Sequence, residues 1–199
     1  MPKKVWYAPN KFESYGEEEI KAVEACLRDG WLAGFGDRSV EFEKRVADVF
    51  GKRHGLFVNS GSSAILLGLC ALDLPKGSEV VTPACGFATT VAPLVQLGLK
   101  PVFCDVGLNT YVPSVEQLRA VVTPQTKCIL LPNLIGNVPN WEAIREAFPG
   151  VVLFEDSADT MTKNVCTDIS TTSFYASHVI TAGGVGGMVM FNDDAHLKR

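Results

Sequence analysis

Three segments of the 199-residue chain carry side chains able to do chemistry. The first is Asn59-Ser60-Gly61-Ser62-Ser63-Ala64, between a short apolar run and a helical one. Backbone N–H groups at a helix start, with serine hydroxyls beside them, make a cradle for an anion or a phosphate. A plain serine-rich helix cap fits the same residues. No Gly-Lys-Ser/Thr follows, so the segment is not a P-loop. The second is Glu155-Asp156-Ser157-Ala158-Asp159, at the end of an apolar run. A carboxylate at a strand end can hold a protonated ring nitrogen by a charge-assisted hydrogen bond, or can simply cap the next element. The third is Ser173-Phe174-Tyr175-Ala176-Ser177-His178, followed by Ile180-Thr181 and the glycine-rich Gly183-Gly184-Val185-Gly186-Gly187. Imidazole takes up a proton near neutral pH, so a histidine there could serve as a general base. A hydrogen-bonded core histidine followed by a glycine turn is the plainer reading. His54, in a charged turn, and His196, near the end of the chain, read as solvated.

The elements that must position these groups alternate. Glu17–Arg28 reads as an amphipathic helix closed by Gly30, and Ser39–Phe50 as a second one closed by Gly51. After that, short apolar runs at Gly55–Asn59, Glu79–Thr82, Pro101–Asp105, Cys128–Pro132 and Val151–Glu155 read as strands. Helical patterns at Ser62–Leu72, Phe87–Leu97, Ser114–Val122 and Trp141–Phe148 separate them. Strand-rich stretches near Thr172–Tyr175 and Gly187–Phe191 follow, and Asp193–Arg199 reads as the start of a helix capped by Asp193 or Asp194. This rhythm predicts an α/β fold with a mostly parallel sheet covered by helices. In such sheets ligands bind at the carboxyl ends of the strands, where the three segments fall.

Composition narrows the function classes. An apolar fraction of 47% with 20% charged residues is that of a globular chain, which excludes disorder and coiled coil. The net charge of −4 offers no basic surplus, so neither nucleic acid nor an anionic membrane is an expected partner. Val80–Leu99 is long and uncharged, but Pro83, Gly86, Pro93, Gln96 and Gly98 interrupt it. A buried strand and a buried helix fit it better than a membrane span. None of Cys26, Cys70, Cys85, Cys104, Cys128 and Cys166 pairs with another at C-x-x-C spacing, and most lie in apolar runs, where buried free thiols are expected. No metal site is expected. Met1–Lys4 leads into polar Asn10–Glu19 without a signal peptide, so a reducing, cytoplasmic location is the expectation.

Taken in order, the segments resemble the DegT/DnrJ/EryC1/StrS family of sugar aminotransferases. These are pyridoxal-phosphate enzymes of the aspartate-aminotransferase fold (fold type I). The resemblance runs from about Gly30 to the end. It is carried by Gly30-Trp31-Leu32, Phe42-Glu43, Asn59–Ala64, Thr82-Pro83 with Gly86–Thr90, Pro101–Val106, Glu155-Asp156, Ser173–His178 and Gly186-Gly187. It implies that Gly61, Ser62 and Ser63, helped by Ser173, cradle the phosphate of pyridoxal 5′-phosphate or pyridoxamine 5′-phosphate. It implies that Phe87 stacks on the pyridine ring, where simple core packing is the alternative. Asp156 would keep the ring nitrogen protonated, and Asp159 would lie near the ring hydroxyl.

At position 178 the family's aminotransferases carry a lysine that forms a Schiff base with the cofactor. This chain has His178, which can take a proton but forms no stable Schiff base; Lys163 lies outside the motif. Histidine there resembles the family's 3-dehydratases of the CDP-4-keto-6-deoxyglucose and GDP-4-keto-6-deoxymannose type. The implied activity is dehydration at C3 of a nucleotide-linked 4-keto-6-deoxyhexose by the pyridoxamine form, with His178 as catalytic base. Such reactions belong to deoxysugar biosynthesis for lipopolysaccharide O-antigen. Ala158 stands where the iron–sulfur-cluster dehydratases have cysteine, which points to the cluster-free kind with glutamate as amino donor.

Three departures keep other readings open. Family members are much longer, so the resemblance implies a large α/β domain over 37–199, an N-terminal helix and substrate- or dimer-side loop over 1–36, and no C-terminal small domain. The family's Gly-Glu-Gly-Gly is here Gly184-Val185-Gly186-Gly187, and the stretch from Asp159 to Ser173 is short. The alternatives are a sugar-nucleotide aminotransferase and an inactive cofactor-binding or dimerising remnant. By resemblance, the active form is a homodimer.

Overall fold

The computed structural model describes residues 15–31, 34 and 36–197. Leu32, the Met1–Lys4 opening and residues 198–199 of the expected terminal helix lie outside them. Seven strands form one sheet: β1 (His54–Val58), β2 (Glu79–Pro83), β3 (Lys100–Cys104), β4 (Thr126–Pro132), β5 (Val152–Asp156), β6 (Ile169–Ser173) and β7 (Gly187–Phe191). Their spatial order is β1-β7-β6-β5-β4-β2-β3. From β3 to β6 every pairing is parallel, while β7 runs antiparallel to both β6 and β1. The expected α/β class with a mostly parallel sheet is what the chain forms.

The helices are α1 (Glu17–Asp29), α2 (Asp37–Phe50), α3 (Gly61–Leu72), α4 (Ala88–Gln96), α5 (Val115–Arg119), α6 (Trp141–Ala147) and α7 (Asp194–Leu197). Their ends follow from local chemistry. Gly30 and Gly51 close α1 and α2 in the left-handed conformation that glycine adopts without a Cβ clash. Ser60, Ser114 and Asn140 accept from backbone N–H groups at the starts of α3, α5 and α6. Val80–Leu99 resolves into β2 and the short α4. Among the described residues no helix is long and apolar enough to cross a membrane.

Strand alternation decides what each face buries, because successive side chains point to opposite sides. Cys128 and Leu130 of β4, with Phe154 of β5, join Ala64, Ile65, Leu69 and Leu94 under α3 and α4. Ile129 and Leu131, with Leu153, join Leu118, Trp141 and Ile144 under α5 and α6. Gly68 lets α3 lie close to the sheet, since a Cβ there would stand 2.7 Å from Phe154 Cζ. In contrast, α1 buries nothing; Ile20, Val23 and Leu27 remain exposed.

Some expectations need correction. The strand expected near Thr172–Tyr175 lies earlier, at Ile169–Ser173, because the central position of β6 buries even its hydroxyl-bearing residues. Of the six cysteines, all free, only Cys104 and Cys128 are buried, while Cys70 and Cys85 are exposed. Cys70 lies on the outer side of α3 and Cys85 in the loop after β2. His54 is not in a turn but opens β1, with Nε2 2.7 Å from Asp194 Oδ1. His196 is half-buried against Phe191, and its Nδ1 has no hydrogen-bond partner.

One buried cation ties the layers together. Lys52, 3% exposed, follows α2 and donates from Nζ to the carbonyl oxygens of Asn164 (2.6 Å) and Thr167 (2.6 Å) and to Thr167 Oγ1 (3.0 Å). Burial lowers its pKa to about 8, and the field of Glu155 opposes that shift. The lysine thus pins the helix-free crossover between β5 and β6. Truncating it strands those acceptors and removes the cation whose field reaches buried Glu155. Lys52→Ala is expected to cost about 3 kcal/mol of stability, measured by urea denaturation with an unchanged slope.

Candidate active site

The carboxyl ends of the parallel strands bring the three chemical segments to one edge of the sheet. The Ser60–Ser63 turn follows β1, Asp156 ends β5 and Ser173 ends β6, while β7 begins at Gly187 beside them. Ser173 pairs with Gly187 from one side and Val58 pairs with it from the other. Only glycine fits at this junction. A Cβ on Gly187 would lie 2.3 Å from the Ser60 carbonyl carbon and 2.4 Å from Gly61 N. A Cβ on Gly61 would lie 2.8 Å from Ser173 Cβ. The turn and Ser173 are therefore in direct contact, as one anion cradle requires. Within the turn, Ser60 Oγ accepts from Ser63 N (3.1 Å) and donates to Ser63 Oγ (3.1 Å). Ser62 Oγ donates to Thr89 Oγ1 (2.9 Å).

Phe87 caps α4 instead of beginning it, and its ring is 70% exposed, which excludes the core-packing alternative. From this cap the helix runs straight into Thr90, whose Oγ1 donates to Asp156 Oδ2 at 2.7 Å. The strand alternation accounts for this meeting. Asp156 shares the face of Phe154, under α3 and α4, whereas Glu155 points to the opposite face. There Glu155 accepts from Asn133 Nδ2 (2.8 Å) and Ser170 Oγ (2.6 Å). Asn133 also reaches Ser157 and Thr160.

Asp156 is 8% exposed, and no cationic side chain among the described residues lies within ion-pair distance of it. Burial raises its pKa to about 6; the Thr90 hydroxyl and the Ala158 N–H oppose the rise, and the charges of Asp159 and Glu155 add to it. A buried carboxylate in this condition suits a ligand that brings its own N–H cation. Asp159 is placed differently from the other site residues. It is exposed, and its Oδ2 accepts from Ile135 N (2.9 Å), holding a β-branched residue at φ +54.

His178 sits in the loop between β6 and β7. That loop is closed on itself by Phe174 N to Gly186 O (2.9 Å), Ala176 N to Gly184 O (3.2 Å) and Thr181 Oγ1 to Phe174 O (2.9 Å). Its base is anchored by fully buried Phe174, whose ring lies 5.1 Å from that of Phe42 and 6.0 Å from that of Phe57. Gly183, Gly184 and Gly186 all have positive φ, so the glycine run is a backbone requirement of this loop. The His178 backbone N–H donates to Tyr175 O (2.9 Å), and the two rings meet edge to face at 5.9 Å. Its Nδ1 is buried without a hydrogen-bond partner.

Thr90, Lys52 and Asn133 escape sequence reasoning. Thr90 lies inside the Gly86–Thr90 motif, and its place one turn beyond Phe87 is the signal the sequence offers. As a set, a serine cradle with glycine-only contacts, an exposed aromatic face and an unpaired buried carboxylate fit a phosphorylated, flat, protonated heteroaromatic ring. In such a fit, Asn59 to Ala64 would supply the anion end, Phe87 a face and Asp156 the partner for a ring N–H.

A protein-family model described as the DegT/DnrJ/EryC1/StrS aminotransferase family matches residues 13–199. The chain belongs to this family. It is 39% identical over 191 residues to a dTDP-4-dehydro-2,6-dideoxy-D-glucose 3-dehydratase of Saccharopolyspora spinosa, covering 87% of this chain and 41% of the relative. It is 33% identical over 197 residues to a dTDP-4-dehydro-2,3,6-trideoxy-D-glucose 4-aminotransferase of the same organism, covering 92% and 51%. A solved structure, an E. coli GDP-4-keto-6-deoxy-D-mannose-3-dehydratase with bound hydrated PLP, superposes with a TM-score of 0.86 at 32% identity, covering 96% of this chain and 52% of that one. The fold is therefore that of the family's large domain. The chain spans about half the length of the relatives it matches. Those relatives include both dehydratases and aminotransferases.

The Asp156 environment sets a pH test. An acid whose folded pKa is raised binds more protons folded than unfolded between pH 3.8 and about 6. Stability therefore falls as pH rises through that window, and the penalty is complete above it. Asp156→Asn, which cannot ionise, is expected to match the parent near pH 3.5. At pH 7.5 it should be more stable by up to about 3 kcal/mol, read by denaturant unfolding at both pH values.

Proposed function

We propose that this chain carries the cofactor and base of a pyridoxamine-phosphate-dependent enzyme that removes the C3 hydroxyl of a nucleotide-linked 4-keto-6-deoxyhexose. The observation that carries the reading is an imidazole, His178, in the closed loop after β6, where the family's aminotransferases need lysine. When bound, pyridoxamine 5′-phosphate supplies an amine for the C4 ketone and a ring that draws electrons. The chain's own residues do the rest. Gly61, Ser62, Ser63 and Ser173 hold the phosphate, Phe87 covers one ring face and Asp156 keeps the ring nitrogen protonated. His178 would take a proton from the carbon next to the amine, and the C3 hydroxyl would leave with a proton as water. Asp159 lies near the ring hydroxyl, with one carboxylate oxygen accepting from Ile135 N. Glutamate restores the amine, and the active form is a homodimer.

The aminotransferase reading has support from the aminotransferase relative. It requires a lysine at the cofactor. Lys52 spends all its donors in the buried crossover, and Lys163 packs against Gly51 at the end of α2. Neither belongs to the loop of His178. The inactive-remnant reading draws no support from these relatives.

The test is a borohydride trap after addition of pyridoxal 5′-phosphate, read by mass spectrometry of the digested protein. The parent chain is expected to show bound cofactor in the pyridoxamine form after glutamate, with no adduct on any lysine of the site. His178→Lys should gain an adduct at position 178, and His178→Asn should gain none. A native lysine trapped in the parent would overturn the dehydratase reading in favour of the aminotransferase.

A further inference from the structure

We propose that Thr90 is the positioning residue of this site: its hydroxyl occupies one oxygen of the Asp156 carboxylate and so presents the other to the ligand. With Thr89, it makes the first turn of α4 the spacer between the anion end and the carboxylate end. The inference rests on the cofactor reading above, and its test separates the two.

Two adjacent side chains carry it. Thr89 Oγ1 accepts from Ser62 Oγ at 2.9 Å, in the serine turn after β1. Thr90 Oγ1 donates to Asp156 Oδ2 at 2.7 Å, at the end of β5. Thr90 N also donates to Phe87 O at 3.0 Å, which ties the exposed ring to the same turn. Groups far apart in sequence are thus indexed to one rigid helical start.

The choice made by the Thr90 hydroxyl is informative. A threonine in the first turn of a helix can bond a local backbone carbonyl such as that of the cap residue. Thr90 is 2% exposed and spends its proton on a carboxylate instead. A carboxylate in a packed interior can rotate unless it is held; beside the Ala158 backbone N–H, Thr90 is the one side-chain donor among the described residues hydrogen-bonded to this one. The other charges that bear on Asp156, Asp159 and Glu155, are both acidic. They can raise its proton affinity but cannot orient it by donation.

The experiment compares Thr90→Val, which keeps the shape and loses the proton, with Thr90→Ser, which keeps the proton. Two readouts are used on the whole chain. One is the carboxyl 13C titration of Asp156, assigned by its loss in Asp156→Asn. The other is the dissociation constant of pyridoxal 5′-phosphate by absorbance. Thr90→Val is expected to raise the Asp156 midpoint by about one pH unit and weaken cofactor binding about tenfold, the scale of one hydrogen bond to a charged group. Thr90→Ser should stay within about twofold in binding and keep the parental midpoint. If Thr90→Val does not fold, Thr90→Ala replaces it with the same expectations. An unchanged midpoint in the valine or alanine variant overturns the proposal, even if stability falls, because a merely structural threonine would behave that way. A raised midpoint with unchanged cofactor affinity also overturns it, since the carboxylate would then need no positioning. If the parent binds no pyridoxal phosphate, the cofactor reading fails, and the carboxyl titration still decides whether Thr90 holds Asp156.

Discussion

The site depends on one strand that ends in two consecutive acids. Geometry forces Glu155 and Asp156 onto opposite faces of the sheet. Burying either carboxylate costs several kcal/mol unless something compensates. The chain compensates only one. Glu155 receives Asn133 and Ser170 directly, and the Lys52 ammonium reaches it through Thr167 and the Thr167–Ser170 hydroxyl pair. Asp156 receives one threonine hydroxyl and a backbone N–H, and its proton affinity stays high. The asymmetry is what the proposed site would use, since a ligand with its own N–H cation would supply the missing counter-charge.

The second constraint is backbone proximity. The turn after β1 and the end of β6 approach so closely across Gly187 that a single methyl group would strike the peptide between Ser60 and Gly61. An isolated parallel bridge, Ser60 to Gly186, adds a second contact beyond the antiparallel β1–β7 pairing. The same glycine run closes the loop that holds His178. The proposed cradle and the proposed base therefore both hang on one connection, from β6 through the loop into an antiparallel β7. This explains why the loop tolerates valine at 185, which is exposed, but not a side chain at 187.

Much of this was legible in the sequence. The alternation of apolar runs and helical patterns led to the right fold class, and the three chemical segments do meet at one sheet edge. What the linear chain hid was partnership over distance. Thr90 and Asp156 are 66 positions apart, and Lys52 and Asn164 are 112 apart. Neither pair has a spacing that a pattern could reveal. Strand β6 was misplaced for a related reason. Ile169-Ser170-Thr171-Thr172-Ser173 is too polar to read as a core strand, and only its central position and its hydroxyl partners on β5 and the crossover make it one. His54 and His196 read as solvated because nothing local suggested that the terminal helix folds back beside β1.

The pattern of hidden partners also bears on which chemistry the site can run. A lysine that bonds to the cofactor is itself a cation close to the ring. A histidine in its place leaves more of the task of fixing the cofactor to the surrounding residues. On the proposed reading those residues are the carboxylate bonded to Thr90, the exposed ring at the cap of α4 and the turn bonded to Thr89. Each is anchored in a helix start or a strand end, and none depends on a long flexible side chain. Preorganisation of that kind lowers the ordering cost of binding and leaves the imidazole free for proton transfer. On the proposed reading, histidine at 178 and the threonine pair at 89–90 belong to one design: without a covalent tether, the noncovalent frame would have to hold the cofactor alone.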